Sequence, residues 1–162
     1  LYALKVREGD PGEVLGTLHL FLDPGQPRSE WPVIKDLGEN GSMVSDEMLA
    51  GAQTFAQALG QIQDFWLGAR HVVAHNLSFD LDMLYAELKR IDAVTRFPWP
   101  PYRICTVEQS EQIRGSRMSL TDLHLHLFGE AFEEAHLASK DTQALHRCFV
   151  ELHKRGMIRY GA

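Results

Sequence analysis

An aspartate on the apolar face of a predicted helix is the residue best placed to do chemistry in this sequence. Residues 135–145 begin a helix that is predicted to continue to Gly156, and Asp141 falls on its apolar face. That face is formed, at steps of three and four residues, by Ala144, Leu145, Cys148, Phe149 and Leu152. Because burying an unpaired carboxylate is costly, Asp141 is expected to have a partner, and a metal ion would serve. His136 lies about one turn upstream and could act on whatever that metal binds.

A second carboxylate stands where a predicted strand is followed by a helix. The run HVVAH at residues 71–75 predicts a buried strand, and Asp80 lies in the first turn of the next helix. Open α/β sheets gather their ligands at such strand ends, which is the functional explanation. A helix N-terminus also stabilises a carboxylate, and for Asp80 taken alone this structural explanation is the favoured one. The same holds for His136 taken alone.

Combined, these positions form a more specific pattern. The first part of the pattern is His75-Asn76-x-x-Phe79-Asp80. The second part, further along the chain, is His136-x-Ala138-x-x-Asp141. At these motifs the sequence resembles the DEDDh family of 3′-to-5′ exonucleases, the group that includes the proofreading subunit of bacterial DNA polymerase III and RNase T. The proline-rich loop at residues 97–101 is also similar to phage-encoded members.

The resemblance implies an α/β fold with an RNase H-like mixed sheet flanked by helices. It also implies a 3′-to-5′ exonuclease that hydrolyses phosphodiester bonds by a two-metal mechanism. In that mechanism Asp80 and Asp141 bind two divalent cations, Mg²⁺ or Mn²⁺, and His136 is the general base. Asn76 and Phe79 are candidates to contact the terminal nucleotide, Phe79 by stacking. For Phe79 a place in the core is the favoured interpretation.

The family's first motif, Asp-x-Glu, is missing from this sequence. In the family it lies on the first strand of the sheet, just upstream of a strand that resembles residues 1–6, and here the match begins in mid-pattern at Leu1. We therefore expect residues 1–162 to be a single exonuclease domain that is N-terminally incomplete. The first strand and two metal ligands are then expected upstream of Leu1, and activity would require that motif.

The composition suits one globular domain and excludes a generic nucleic-acid coat protein. The 162 residues are 44% hydrophobic, which is enough for one core. A net charge of −6 lacks the basic surplus of a coat protein but suits a nuclease whose carboxylates bind cations. The expected partners are nucleic acid with a free 3′ end, with DNA favoured over RNA, and a polymerase or other replication protein.

The cysteines and the hydropathy pattern indicate the compartment. Cys105 and Cys148 are far apart in the sequence and are expected to be reduced, buried thiols, which favours a cytoplasmic location. No apolar run approaches the roughly 20 residues needed to span a bilayer, so we expect no membrane role.

The order of predicted elements is that of an α/β sandwich with a mixed sheet. Alternating residues predict an N-terminal hairpin with turn formers at residues 8–12, a second strand at 14–22 and a loop at 26–42. Ile104 marks a short strand. The residues predicted to cap helices are Ser45, Thr54, Ser78, Thr106 and Ser119.

Two other functions compete with the exonuclease. A zinc site could use His124, His126 and the cysteines, but residues two apart point to nearly opposite sides of a helix. The other alternative is a catalytically inactive nuclease-like module that binds nucleic acid or protein, which the missing first motif favours. The retention of both His136 and Asp141 favours the enzyme instead.

Overall fold

The structure is a computed structural model, and it describes residues 1–25, 46–132 and 137–161. The strands are β1 (Tyr2–Arg7), β2 (Asp10–His19), β3 (Leu22–Asp23), β4 (Gln53–Thr54), β5 (His71–Ala74) and β6 (Tyr102–Cys105). The α-helices are α1 (Asp46–Leu49), α2 (Phe55–Trp66), α3 (Leu77–Arg90), α4 (Thr106–Arg114), α5 (Leu120–Phe128) and α6 (Ala138–Lys154), and a 3-10 turn covers Val94–Arg96. The predicted loop at 26–42 and the predicted cap Ser45 lie outside the described residues.

The N-terminal hairpin differs from its prediction at both ends of the second strand. β1 and β2 pair antiparallel, but β2 begins at Asp10 and ends at His19 instead of covering residues 14–22. The turn between β1 and β2 needs only two residues because Gly9 adopts a left-handed backbone with φ of 84°. Pro11 follows inside the strand, since its fixed φ is compatible with extended backbone.

The strands of the described residues form three separate two-stranded sheets. β5 and β6 pair in parallel, in register from His71 opposite Tyr102 to Ala74 opposite Cys105. β3 and β4 also pair in parallel, while β1 and β2 form the antiparallel hairpin. The α/β class is therefore confirmed, but the expected single mixed sheet is not seen within these residues.

One apolar core lies between α2, α3 and the loop that leads to β6. Its buried members are Phe55, Ala58, Ile62, Leu88, Ala93 and Phe97. Thr54 caps α2 as predicted, because its hydroxyl accepts a hydrogen bond from the Gln57 N–H at 3.3 Å. The Gln57 side chain accepts one from the Thr54 N–H at 2.8 Å, which completes a capping box.

A second core joins α5 to α6. Its buried members are Met118, Leu123, Leu127, Cys148 and Leu152. Ser119 caps α5 as predicted, accepting the Asp122 N–H at 3.1 Å. Cys105 and Cys148 are both free thiols, and Cys148 is buried whereas Cys105 is half-buried. Burial raises the pKa of the Cys148 thiol to about 12, so this side chain stays neutral and packs as a small apolar residue.

No helix among the described residues is both long enough and apolar enough to cross a membrane.

Candidate active site

The predicted second motif lies at the turn between β5 and α3. Asn76 is the residue before α3 and adopts a left-handed backbone with φ of 70° and ψ of 52°. Its side chain makes no capping hydrogen bond, and Ser78, which was predicted to cap the helix, already lies inside it. The prediction for Ser78 is wrong because the left-handed turn at Asn76 starts the helix two residues earlier.

Phe79 points to solvent. Its side chain is 62% exposed, so the interpretation of Phe79 as a core residue is wrong. The reason is helical geometry: Leu77 is buried with 4% exposure, and a residue two positions further along a helix points to nearly the opposite side. An exposed aromatic ring at this position can stack against a nucleobase.

Asp80 follows Phe79 in the first turn of α3 and is also exposed. Desolvation by the surrounding protein nevertheless raises the pKa of its carboxyl, and a hydrogen bond to its own backbone N–H acts in the opposite direction. A nearby cation would instead lower the pKa of Asp80, because it stabilises the ionised carboxylate. In the protein alone, the ionised form of Asp80 is therefore less favoured than that of a free aspartate.

Asp141 lies in the first turn of α6, where it is half-buried. Its N–H donates to the Leu137 carbonyl at 2.9 Å, at the point where the helix begins. The next side chain, Thr142, donates to the Ala138 carbonyl at 2.7 Å and lies 3.5 Å from the carbonyl oxygen of Tyr2 on β1. The start of α6 is therefore held against the N-terminal hairpin.

The carboxylate oxygens of Asp80 and Asp141 suit Mg²⁺ or Mn²⁺, which prefer hard oxygen ligands. Within residues 1–25, 46–132 and 137–161, however, no three His, Cys, Asp or Glu side chains come together in a group that could hold a metal ion. His136 lies outside the described residues. The described part of the site thus supplies ligands of the right chemistry but too few of them for a complete metal centre.

His75, predicted as the last residue of the strand at 71–75, is the centre of a hydrogen-bond network that the sequence pattern does not reveal. The His75 Nε2 lies 3.0 Å from the Met118 carbonyl oxygen, and Nδ1 lies 2.9 Å from the hydroxyl of Thr106. Burial lowers the pKa of His75, and the hydrogen bond to Met118 raises it to a lesser extent. The only sequence signal for this role is the place of His75 directly before Asn76.

Thr106 does not cap α4 as predicted. It is the first residue of the helix, the N-cap is Cys105, and the Thr106 side chain is fully buried. Its hydroxyl lies between His75 and the carbonyl oxygen of Ala74, the latter at 3.4 Å. Because Thr106 is already the first helical residue, it does not occupy the position from which a side chain caps a helix.

The residues of the zinc alternative are occupied elsewhere or lie apart. The His124 Nδ1–H donates to the Glu130 carbonyl at 2.8 Å, and its Nε2 accepts from the Arg147 guanidinium at 3.2 Å. Zinc needs a free nitrogen lone pair, and both ring nitrogens of His124 are used. His124 is buried whereas His126 is exposed, as expected for residues two apart on a helix.

An open groove of about 430 Å³ lies beside α3. It is lined by Leu81, Asp82, Tyr85, Trp99 and Arg103. Tyr85 is displaced from Asp80 by about 140° around the helix axis, at roughly 100° per residue. Asp82, however, lies three residues after Phe79 and is its neighbour on the helix surface, so the groove borders the surface that presents Phe79.

Comparison with known protein families identifies the class of protein to which this chain belongs. The model of a family described as Exonuclease (RNase_T) matches residues 42–149, a range that includes the β5–α3 turn, residue 136 and the first turn of α6. The chain therefore belongs to the exonuclease family, and specifically to its DEDDh-type 3′-to-5′ group.

A curated relative supports this assignment. The chain is 29% identical over 80 residues to the protein "DNA polymerase III PolC-type" of Listeria innocua serovar 6a. The alignment covers 49% of this chain and only 5% of that relative.

Proposed function

We propose that this protein is a metal-dependent 3′-to-5′ exonuclease that removes nucleotides from the free 3′ end of a nucleic acid, with DNA as the favoured substrate. The observation that supports this most is the exposed pair Phe79 and Asp80 at the carboxyl end of β5. An aromatic ring beside a cation-binding carboxylate can hold a terminal base next to the phosphodiester bond to be cut. Asn76, exposed one residue before the helix, is the second proposed substrate contact.

Asp80 and Asp141 are the residues that would hold two divalent cations, Mg²⁺ or Mn²⁺. When bound, such ions supply the activation of the attacking water and the stabilisation of the leaving oxygen. Because the described residues offer no third ligand beside either carboxylate, further acidic ligands are needed. The resemblance to the DEDDh family implies that an Asp-x-Glu motif supplies them.

His136 is the proposed general base. An imidazole has a reference pKa of about 6.5, so near neutral pH its neutral form can accept a proton from the attacking water. His136→Ala should lower the turnover roughly 100-fold to 10,000-fold, the usual contribution of a general base. His126→Ala is the matched control, because His126 is exposed on α5 and has no assigned role. Unchanged turnover of His136→Ala, or an equal loss in both variants, would refute the assignment.

The experiment that tests the function is nucleotide release from single-stranded DNA with Mg²⁺, with Mn²⁺ and with EDTA. We expect release with either cation and none with EDTA. Asp80→Asn and Asp141→Asn should abolish the release while leaving the circular dichroism spectrum unchanged. An RNA of the same sequence, run in parallel, tests the preference for DNA.

The alternative function is a catalytically inactive nuclease-like module that binds nucleic acid or protein. The lack of a third metal ligand among the described residues is the observation that favours it. Binding of single-stranded DNA without any nucleotide release under all three metal conditions would support this module against the enzyme.

The remaining features of the proposal concern architecture and setting. We propose that residues 1–162 form one exonuclease domain and that the strand pairs belong to an RNase H-like sheet. A polymerase or other replication protein is the proposed protein partner, and the relative named as a DNA polymerase III supports this. The two free cysteines support a reducing, cytoplasmic location.

A further inference from the structure

We propose that His75 is a positioning residue that couples the helix bearing Asp80 to the core that holds the helix bearing Asp141. The proposal rests on the proposed function, because it assigns the two carboxylates to one active site. His75 itself is not proposed to touch substrate or metal; it acts through the backbone that it fixes.

The tautomer of His75 follows from its partners. A carbonyl oxygen can only accept, so the His75 Nε2 carries the hydrogen and donates it to Met118 at 3.0 Å. In the neutral ring Nδ1 is then an acceptor, and the Thr106 hydroxyl donates to it at 2.9 Å. Both ring nitrogens are satisfied, and the orientation of the ring is fixed from two sides.

The fixed ring lies at the start of the segment that presents the candidate site. Asn76 comes next and makes the left-handed turn, and its carbonyl accepts the Phe79 N–H at 3.0 Å. The Asn76 side chain does not cap this end of α3. The direction of the first turn, and with it the place of Asp80, therefore depends on how the backbone at His75 is held.

The other end of the connection is Met118, a residue of the second core. Its side chain is 3% exposed and packs in the same cluster as Cys148 and Leu152 of α6. Its N–H donates to the Ser110 hydroxyl at 3.3 Å, and that hydroxyl donates to the Val107 carbonyl at 2.6 Å. Both backbone groups of Met118 are thus used, so a displacement of His75 would be transmitted to the packing of α6.

A matched pair of substitutions at Thr106 tests the coupling without altering His75. Thr106→Val keeps the shape of this fully buried side chain but removes the hydroxyl, whereas Thr106→Ser keeps the hydroxyl. We expect Thr106→Val to raise the Mg²⁺ concentration for half-maximal cleavage about 10-fold. Substitution of residues that support metal ligands commonly weakens metal binding by about this factor. Thr106→Ser should behave like the wild type, at a temperature where both variants are fully folded.

Two further measurements do not depend on nuclease activity. Amide hydrogen exchange of Phe79 and Asp80 should be faster in Thr106→Val than in Thr106→Ser. In the wild-type chain, nitrogen-15 NMR should show a hydrogen on the His75 Nε2, which keeps the proposal testable even if Thr106→Val fails to fold. A wild type that cleaves nothing would defeat the proposed function but leave these two results to decide the coupling.

The proposal is overturned if Thr106→Val only lowers the melting temperature, with unchanged exchange at Phe79 and Asp80 and unchanged Mg²⁺ dependence. A His75 ring with its hydrogen on Nδ1 and none on Nε2 in the wild type would overturn it equally, because the Met118 carbonyl would then lack its donor.

Discussion

Phe79 and Asp80 are consecutive residues in the first turn of α3, and both side chains are exposed to solvent. The Phe79 ring is 62% exposed, and desolvation raises the pKa of the Asp80 carboxyl. The ring offers a stacking surface, and the carboxylate offers a ligand for a cation.

Replacing Phe79 with alanine should weaken substrate binding without weakening the fold. Stacking of a base on an aromatic ring contributes roughly 1 to 3 kcal/mol, so KM for single-stranded DNA should rise roughly 5-fold to 150-fold. Because the ring is exposed, the free energy of unfolding should change by less than about 0.5 kcal/mol. Met83→Ala, one turn along the same helix and 55% exposed, is the control. An equal rise of KM in Met83→Ala would show that the loss of any exposed apolar side chain on this part of α3 raises KM. That result would contradict a stacking role specific to Phe79.

Substitutions at Asn76 should separate the role of its backbone from that of its amide. Its left-handed φ of 70° costs a residue with a Cβ roughly 1 to 2 kcal/mol unless the side chain tolerates it, as asparagine does. Asn76→Ala should therefore lower the free energy of unfolding in denaturant titrations, whereas Asn76→Gly should not. If the amide contacts the terminal nucleotide, both variants should raise KM. An unchanged KM in the stable Asn76→Gly variant would remove Asn76 from the substrate contacts.

The elements were more predictable from the sequence than the orientation of individual side chains. The apolar steps in α6 predicted its packing face, and Ala144, Cys148 and Leu152 are indeed buried. The caps Thr54 and Ser119 were also predicted, because a side chain and an N–H two or three residues away make a local interaction.

The failures came from one contact between residues distant in the chain and from two local features of backbone geometry. Thr106 has the right type for a helix cap, but it is the first residue of α4 and its hydroxyl bonds to a histidine 31 residues earlier. Ser78 was displaced from the cap position by the backbone conformation of Asn76, which sequence periodicity does not report. Phe79 fits an apolar pattern by residue type, yet it is two residues from the buried Leu77 and so points outward.

Neutralising Asp80 should stabilise the metal-free protein. Its pKa is raised in the folded state, so ionisation above that pKa disfavours the fold. Asp80→Asn should consequently melt at a higher temperature than the wild type in EDTA at neutral pH. The difference should shrink as the pH falls through the raised pKa towards the ordinary value of 3.8, because Asp80 is then protonated in both states.

Adding Mg²⁺ should reverse the order of the two melting temperatures. Only the wild type retains the Asp80 carboxylate as a ligand and gains stability by binding the ion. Asp82→Asn, exposed on the same helix, is the control and should respond to Mg²⁺ as the wild type does. Identical Mg²⁺ shifts in Asp80→Asn and the wild type would exclude Asp80 as a ligand.

The polarity of cleavage is the most direct test of the proposed activity. A 5′-labelled single-stranded DNA with a free 3′ hydroxyl should be shortened in Mg²⁺ to a ladder that starts from its 3′ end. The same DNA with a blocked 3′ end should stay at full length. Internal fragments from the blocked DNA, or shortening that begins at the 5′ end of a 3′-labelled DNA, would contradict a 3′-to-5′ exonuclease.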